Sequence, residues 1–227
     1  MREHLVVWLK SNYPSSTYHQ EPERFVCRQV ARAGSLEKML DIAEDSAEKD
    51  IEMGAPILED YILGPKIDGT KDSVDIPRPE GTMGTFHTHP YGHTVPTGYD
   101  LFETIANEDK FFCIGAAGHT GTRLDCFYGH HPGREKEWDE LRQKVWVQVG
   151  EMSKFKKEMA EKYPGIKTDE GLLEKLRYED MPNWFRMMDL WTERTRLSWK
   201  TDRFSSPMNP FPKVCHWDRK IGLTEEE

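Results

Sequence analysis

The sequence predicts an α/β fold on three observations: an amphipathic helical repeat, short strand-forming runs around a histidine-rich segment, and a long helical stretch after them. The repeat starts at Ser35, where Leu36, Met39, Leu40, Ala43 and Ala47 recur at three- and four-residue steps. Ser35 is placed to cap its first turn, and the helix is expected to end near Lys49. EMGAPILEDYILG follows as a strand or hairpin, with Pro56 the residue least suited to one. Residues 65–82 carry three Pro and two Gly with little periodicity. They read as a long loop that either connects elements at the surface or overhangs a cleft as a substrate-contacting insertion. TMGTFHT is then a strand with His87 and His89 at its C-terminal end, and DLFETIANE a helix beginning near Tyr99. FFCIGAAG and TRLDCFYG make two strands joined by a tight turn at HTG.

After Gly133 the pattern turns helical. Trp138, Leu141, Val145, Val149, Met152 and Met159 fall on one face of a segment from about 135 to 162, ended by Tyr163-Pro164-Gly165. A second helix is expected over about 169–177. A third places Trp184, Met187, Met188 and Trp191 on one stripe, which helical spacing assigns to core packing rather than to a partner groove. The expected organisation is an N-terminal segment over 1–23, with a short strand or helix near Leu5 to Leu9. A core domain follows over 24–132, then a helical extension over 133–204 and an irregular tail over 205–227.

Composition narrows the function. The chain has 227 residues and a net charge of -9, which argues against nucleic acid as the main ligand because neutralising phosphates needs a basic surface. Seven Trp, ten Phe and eight Tyr supply the bulk for a core despite 31% charged residues. No stretch approaches the roughly 20 apolar residues of a membrane span, and MREHLVVWLK has too short an apolar run for a signal peptide. Cys27, Cys113, Cys126 and Cys215 form no CxxC pair, so no disulfide framework and no cysteine-rich zinc module is expected. The reading is a protein of the reducing cytoplasm.

Residues 87–100, HTHPYGHTVPTGYD, carry the chemistry. Side chains two apart on a strand share a face, so His87 and His89 aim both imidazoles at one point, and Asp100 closes the set from the following helix. Two imidazoles and a carboxylate are a catalytic zinc set, in which three protein ligands leave one position open. A metal there would activate water at neutral pH. A nearby glutamate would serve as general base, and the Thr97 hydroxyl would face a developing oxyanion. His93 is left as an exposed loop residue. A second zinc site from Cys126, His130, His131, Cys215 and His216 matches no known module spacing and is set aside.

The order HTHP, six residues, Thr97, two residues, Asp100 resembles the JAMM motif of the MPN-domain metalloproteases, whose pattern is His-x-His-Pro, six residues, Ser, two residues, Asp. The resemblance implies a curved mixed sheet flanked by helices, His87, His89 and Asp100 as zinc ligands, and Thr97 as oxyanion donor. It also implies a peptidase or isopeptidase acting on the C-terminal tail of a ubiquitin-like or small carrier protein. Thr97 departs from the family's Ser by one methyl, which restricts its rotamer and would weaken activity. The family's upstream glutamate is best matched by Glu52. Glu44 and Glu48 lie on a helix face that is ordinarily solvated, and Glu59 comes later in the strand region. Two other functions stay open at this point: a non-catalytic MPN-like scaffold, and a zinc hydrolase of small amides. The long C-terminal helices have no counterpart in the family.

Overall fold

The computed structural model describes residues 28–131, 133–166, 168–205 and 211–219. The expected element near Leu5 to Leu9, the segment 1–23 and Cys27 lie outside them. The described residues fall into two compact units, one drawn from 28–96, 109–130 and 211–219, the other from 97–108 and 131–205.

The first unit is a mixed α/β layer. Its helix α1, Ser35–Lys49, buries Leu36, Met39, Leu40 and Ala43, the stripe that the periodicity marks. Ser35 does not cap it. Gly34 holds the cap position in a left-handed conformation without a side-chain bond. The buried Ser35 hydroxyl instead donates to the Tyr61 carbonyl at 2.7 Å and accepts from the Leu63 N–H at 3.0 Å. A serine that can satisfy two distant backbone groups inside the protein does so in preference to its own helix start.

Among the described residues six strands form one sheet: β1 Met53–Leu58, β2 Ile67–Asp68, β3 Thr82–Thr88, β4 Phe111–Gly118, β5 Gly121–Tyr128 and β6 Lys213–Arg219. Their order is β2-β1-β3-β4-β5-β6. β3 and β4 are parallel and every other neighbouring pair is antiparallel. Parallel neighbours need a crossover, and the motif with its helix occupies that connection. Two expectations change here. The loop over 65–82 contributes the two-residue β2, and the tail expected to be irregular supplies β6. The Pro-rich stretch before β6 masks an alternating VCHW run that pairs with β5 over six residue positions.

Alternation gives the sheet two distinct faces. Ala55, Phe86, Cys113, Cys126 and Cys215 stand in register across β1, β3, β4, β5 and β6, and they join the core cluster with α1. The residues one step along, Gly54, His87, Ile114, Asp125 and His216, form the opposite row. Register also overturns the expectation about cysteines. Cys113 and Cys126 are direct cross-strand partners, 4.0 Å apart at Cα, and they form a disulfide. Cys215 is disulfide-bonded as well. The two cysteines lie on the consecutive strands of one hairpin, and its register sets them opposite each other, which a CxxC spacing does not display; the argument from unpaired thiols for a reducing compartment goes with it.

The second unit is helical: α2 Gly98–Ala106, α3 Glu135–Lys162, α4 Asp169–Glu179 and α5 Met181–Thr201. On α3 the buried residues are Trp138, Leu141, Val145, Gln148, Phe155 and Met159, a strict alternation of three- and four-residue steps once half-buried Met152 is counted. Gln148 therefore takes the inward place expected for Val149. Its side-chain amide donates to the Leu190 carbonyl at 2.6 Å, which satisfies a polar group that burial would otherwise penalise. Met187 on α5 packs with Phe155, Met159, Leu172 and Leu176, while Trp184 and Trp191 are half-buried beside them, as the core reading of that stripe requires. No helix among the described residues is long and apolar enough to cross a membrane.

Candidate metal centre

β3 places His87 on its last turn of alternation, and His89 follows just past its end. Thr88, between them, points to the opposite face and pins the register. It accepts from the Met53 N–H at 2.8 Å and donates to Ser46 Oγ at 2.6 Å, and Ser46 in turn donates to the Ile51 carbonyl. This relay ties the end of β3 to the start of β1 and the last turn of α1. A slip by one residue would move both histidines to the wrong face, and the relay opposes it.

Both histidines are buried. Their Nε2 atoms lie 3.2 Å apart, and the rings are tilted by 59°. Tetrahedral zinc with Zn–N bonds of about 2.0 to 2.1 Å sets two nitrogen ligands about 3.3 Å apart, so the separation of this pair is compatible with two ligands of one such ion. Nδ1 of His89 lies 3.2 Å from the His93 carbonyl oxygen, placed to donate to it. That bond would fix the tautomer that leaves Nε2 as the ligand atom, the ordinary way a protein orients a metal-binding imidazole. His93 meets His89 Nδ1 with both its carbonyl and, at 3.3 Å, its own ring Nδ1, the two rings lying edge to face. Sequence spacing does not signal a backbone role of this kind.

Asp100 completes the set. One ligand atom from each of His87, His89 and Asp100 falls within 4.8 Å of the others, two buried imidazoles and a half-buried carboxylate. Asp100 is itself held. Thr97 caps α2, and the Asp100 N–H donates to Thr97 Oγ1 at 3.2 Å, while Asp100 Oδ2 accepts from the Thr97 N–H at 2.6 Å and from its hydroxyl at 2.8 Å. This reciprocal cap presents the carboxylate from the helix start. It also commits the Thr97 hydroxyl to Asp100.

Glu52 lies one residue before β1 and half-buried. Gly54 pairs with His87, so alternation puts Glu52 on the same sheet face as both histidines, one strand away. Its backbone is fixed on both sides, with its N–H donating to the Thr70 carbonyl and its own carbonyl accepting from Gly69. Glu44 is committed elsewhere, accepting from the Thr122 hydroxyl at 2.7 Å and from Arg219, and Glu59 lies past the end of β1 in a one-turn 3-10 segment.

Sequence reasoning passed over Asp125. It is wholly buried on β5, with Lys213 Nζ at 2.6 Å and His216 Nδ1 at 2.5 Å, and it accepts from the hydroxyl of Thr94 inside the motif. Burial pushes its carboxyl up, but the His216 and Lys213 interactions and the Thr94 bond outweigh it and hold the pKa below the ordinary carboxylate value. Only an aspartate within a strand-forming run marks it in the sequence.

No protein-family model matches the chain, and no curated protein matches it.

Proposed function

We propose that the protein is a zinc-dependent hydrolase of peptide-type bonds, a JAMM-like peptidase or isopeptidase. The observation that carries this is the convergence of His87, His89 and Asp100 within 4.8 Å, with the two Nε2 atoms at a separation that suits tetrahedral zinc. The donor set of two neutral imidazoles and one carboxylate favours zinc over magnesium or calcium, which prefer oxygen. Bound there, zinc supplies the Lewis acidity that makes water nucleophilic near neutral pH.

The chain's own residues do the rest. Glu52, on the same sheet face as the histidines, takes the proton from the attacking water and returns it to the departing amine. Asp100 lends a negative charge and is steadied by Thr97. The Thr97 hydroxyl, at the start of α2, is the donor nearest in the sequence to serve the oxyanion, at the expense of its bond to Asp100. The substrate class, the extended C-terminal tail of a ubiquitin-like or small carrier protein, follows from the motif resemblance. A non-catalytic scaffold gives no reason for two buried imidazoles and a carboxylate to converge, whereas a metal does.

The test is metal analysis of purified protein together with cleavage of a ubiquitin-like fusion and of a small peptide amide. One zinc per chain and chelator-sensitive cleavage that Glu52→Gln abolishes are expected. Protein that folds, takes up no zinc and cleaves neither substrate would defeat the proposal.

A further inference from the structure

The segment that joins the two histidines to Asp100 is fastened at a point that none of the ligands touches. Thr94, five residues after His89, is buried, and its hydroxyl bonds to Asp125 Oδ2. The same oxygen faces Lys213, and the other accepts from His216. Register places Asp125 in the row His87, Ile114, Asp125, His216, so it stands two strands from His87 on the same face. A carboxylate with no solvent exposure is costly unless its charge is compensated and its lone pairs are filled. Lys213 and His216 compensate it from β6. The Thr94 bond goes to a loop, where it adds nothing to the pairing of β5 with β6.

We propose that Asp125 is a positioning residue for the metal centre: through Thr94 it fixes the course of residues 90–96, and with it the approach of the chain to Thr97 and Asp100. The inference rests on the zinc reading given above. It explains why a buried carboxylate, two counter-charges and a loop threonine are gathered on the histidine face of the sheet. A cross-strand ion pair alone would need only Lys213 or His216.

Asp125→Ala removes a buried charge that two others depend on and is a poor probe, because it endangers folding. Thr94→Val cuts only the tie and leaves Asp125 with both counter-charges. The measurements are zinc affinity by competition with a chelating dye, and hydrogen exchange of the 90–96 amides in metal-free protein. Thr94→Val is expected to weaken zinc binding about tenfold or more, the usual scale for groups that orient ligands, and to speed exchange over 90–96. Thr94→Ser, which restores the hydroxyl, returns both to the wild-type values. Wild-type protein that binds zinc while Thr94→Val binds it equally tightly overturns this inference and leaves the zinc reading standing. Wild-type protein that takes up no zinc overturns both.

Discussion

Gly54 faces His87 across the antiparallel pair of β1 and β3, and the side chain of Ile76 rests where a Cβ on that glycine would stand. The long loop thus reaches the histidine face of the sheet, by way of a residue that has no side chain. A Cβ at Gly54 would come 2.6 Å from Ile76 Cδ1 and 2.9 Å from the Phe86 carbonyl oxygen. The isoleucine can shift, whereas the backbone oxygen cannot without bending β3. Gly54→Ala is therefore expected to destabilise the protein by about 1 to 3 kcal/mol in urea denaturation. Gly54→Ala with Ile76→Ala should recover only part of it. Full recovery would show that the strand pair is not the constraint.

Arg78, two residues after Ile76, holds the same stretch of the loop. Its guanidinium donates to both carboxylate oxygens of Asp109, at 3.4 and 3.1 Å, and Asp109 is buried and accepts from the Thr85 hydroxyl as well. Ile76 and Arg78 together tie this part of the loop to β1 and to the buried Asp109 within the first unit.

The charge on Asp125 gives a pH test. Its carboxyl pKa is held below the ordinary value despite burial, so the folded state favours the ionised form more than the unfolded state does. The stability this contributes is present above about pH 3.9, the unperturbed aspartate range, and is lost as pH falls through the lower folded value. Thr94, Lys213 and His216 face the group. Asp125→Asn is expected to be less stable than wild type at pH 7, with the gap narrowing steadily below pH 4. A gap that stays constant from pH 7 to pH 3 would show that the charge contributes nothing.

Gln148 offers a test confined to the helical unit. Its amide sits 3% exposed at an inward position of α3 and donates to the Leu190 carbonyl. Gln148→Met keeps the length and loses the donor. It should cost about 1 kcal/mol, because the carbonyl of Leu190 loses its side-chain partner. Gln148→Glu should cost more, since it buries a charge whose oxygen meets that carbonyl. Thermal denaturation at neutral pH ranks the two, and equal stability of both variants with wild type would remove the bond from the account.

Where neighbours in sequence are neighbours in space, the chain was legible. The bounds of α1, β3, β4 and α3 follow from three-, four- and two-residue periodicity, β5 begins and ends one residue earlier than its run suggests, and the spacing of His87, His89 and Asp100 marks a group that could hold a metal ion. What escaped depends on strand register. The Cys113–Cys126 disulfide follows from the register of the β4–β5 hairpin, while the pairing of β6 and the place of Asp125 beside His216 arise when strands distant in sequence align. Ser35 and Gln148 escaped for a related reason. Each looked like a local cap or a surface residue, and each is used inward by a carbonyl from another element. Glu52 lies between these cases: position alone suggested it, and the alternation of β1, carried one residue before its start, would put it on the face of His87.

Thr97 carries two tasks that substitution can separate. As the cap of α2 it accepts from the Asp100 N–H, and its hydroxyl donates back to the Asp100 carboxylate. Losing such a cap costs about 0.5 to 2 kcal/mol. Thr97→Ala should show that loss in denaturation, and it should weaken zinc binding because Asp100 is released from its orientation. Thr97→Ser keeps the hydroxyl and relieves the methyl that restricts its rotamer, so the cap and the zinc affinity stay near wild type. If the hydroxyl also serves the oxyanion, Thr97→Ser holds or raises kcat, whereas Thr97→Ala lowers kcat at saturating zinc by roughly 100-fold, the scale for loss of one oxyanion donor. If the hydroxyl only caps, saturating zinc restores kcat in Thr97→Ala. Kinetics at saturating metal therefore distinguish a residue that only positions Asp100 from one that also touches the reacting carbonyl.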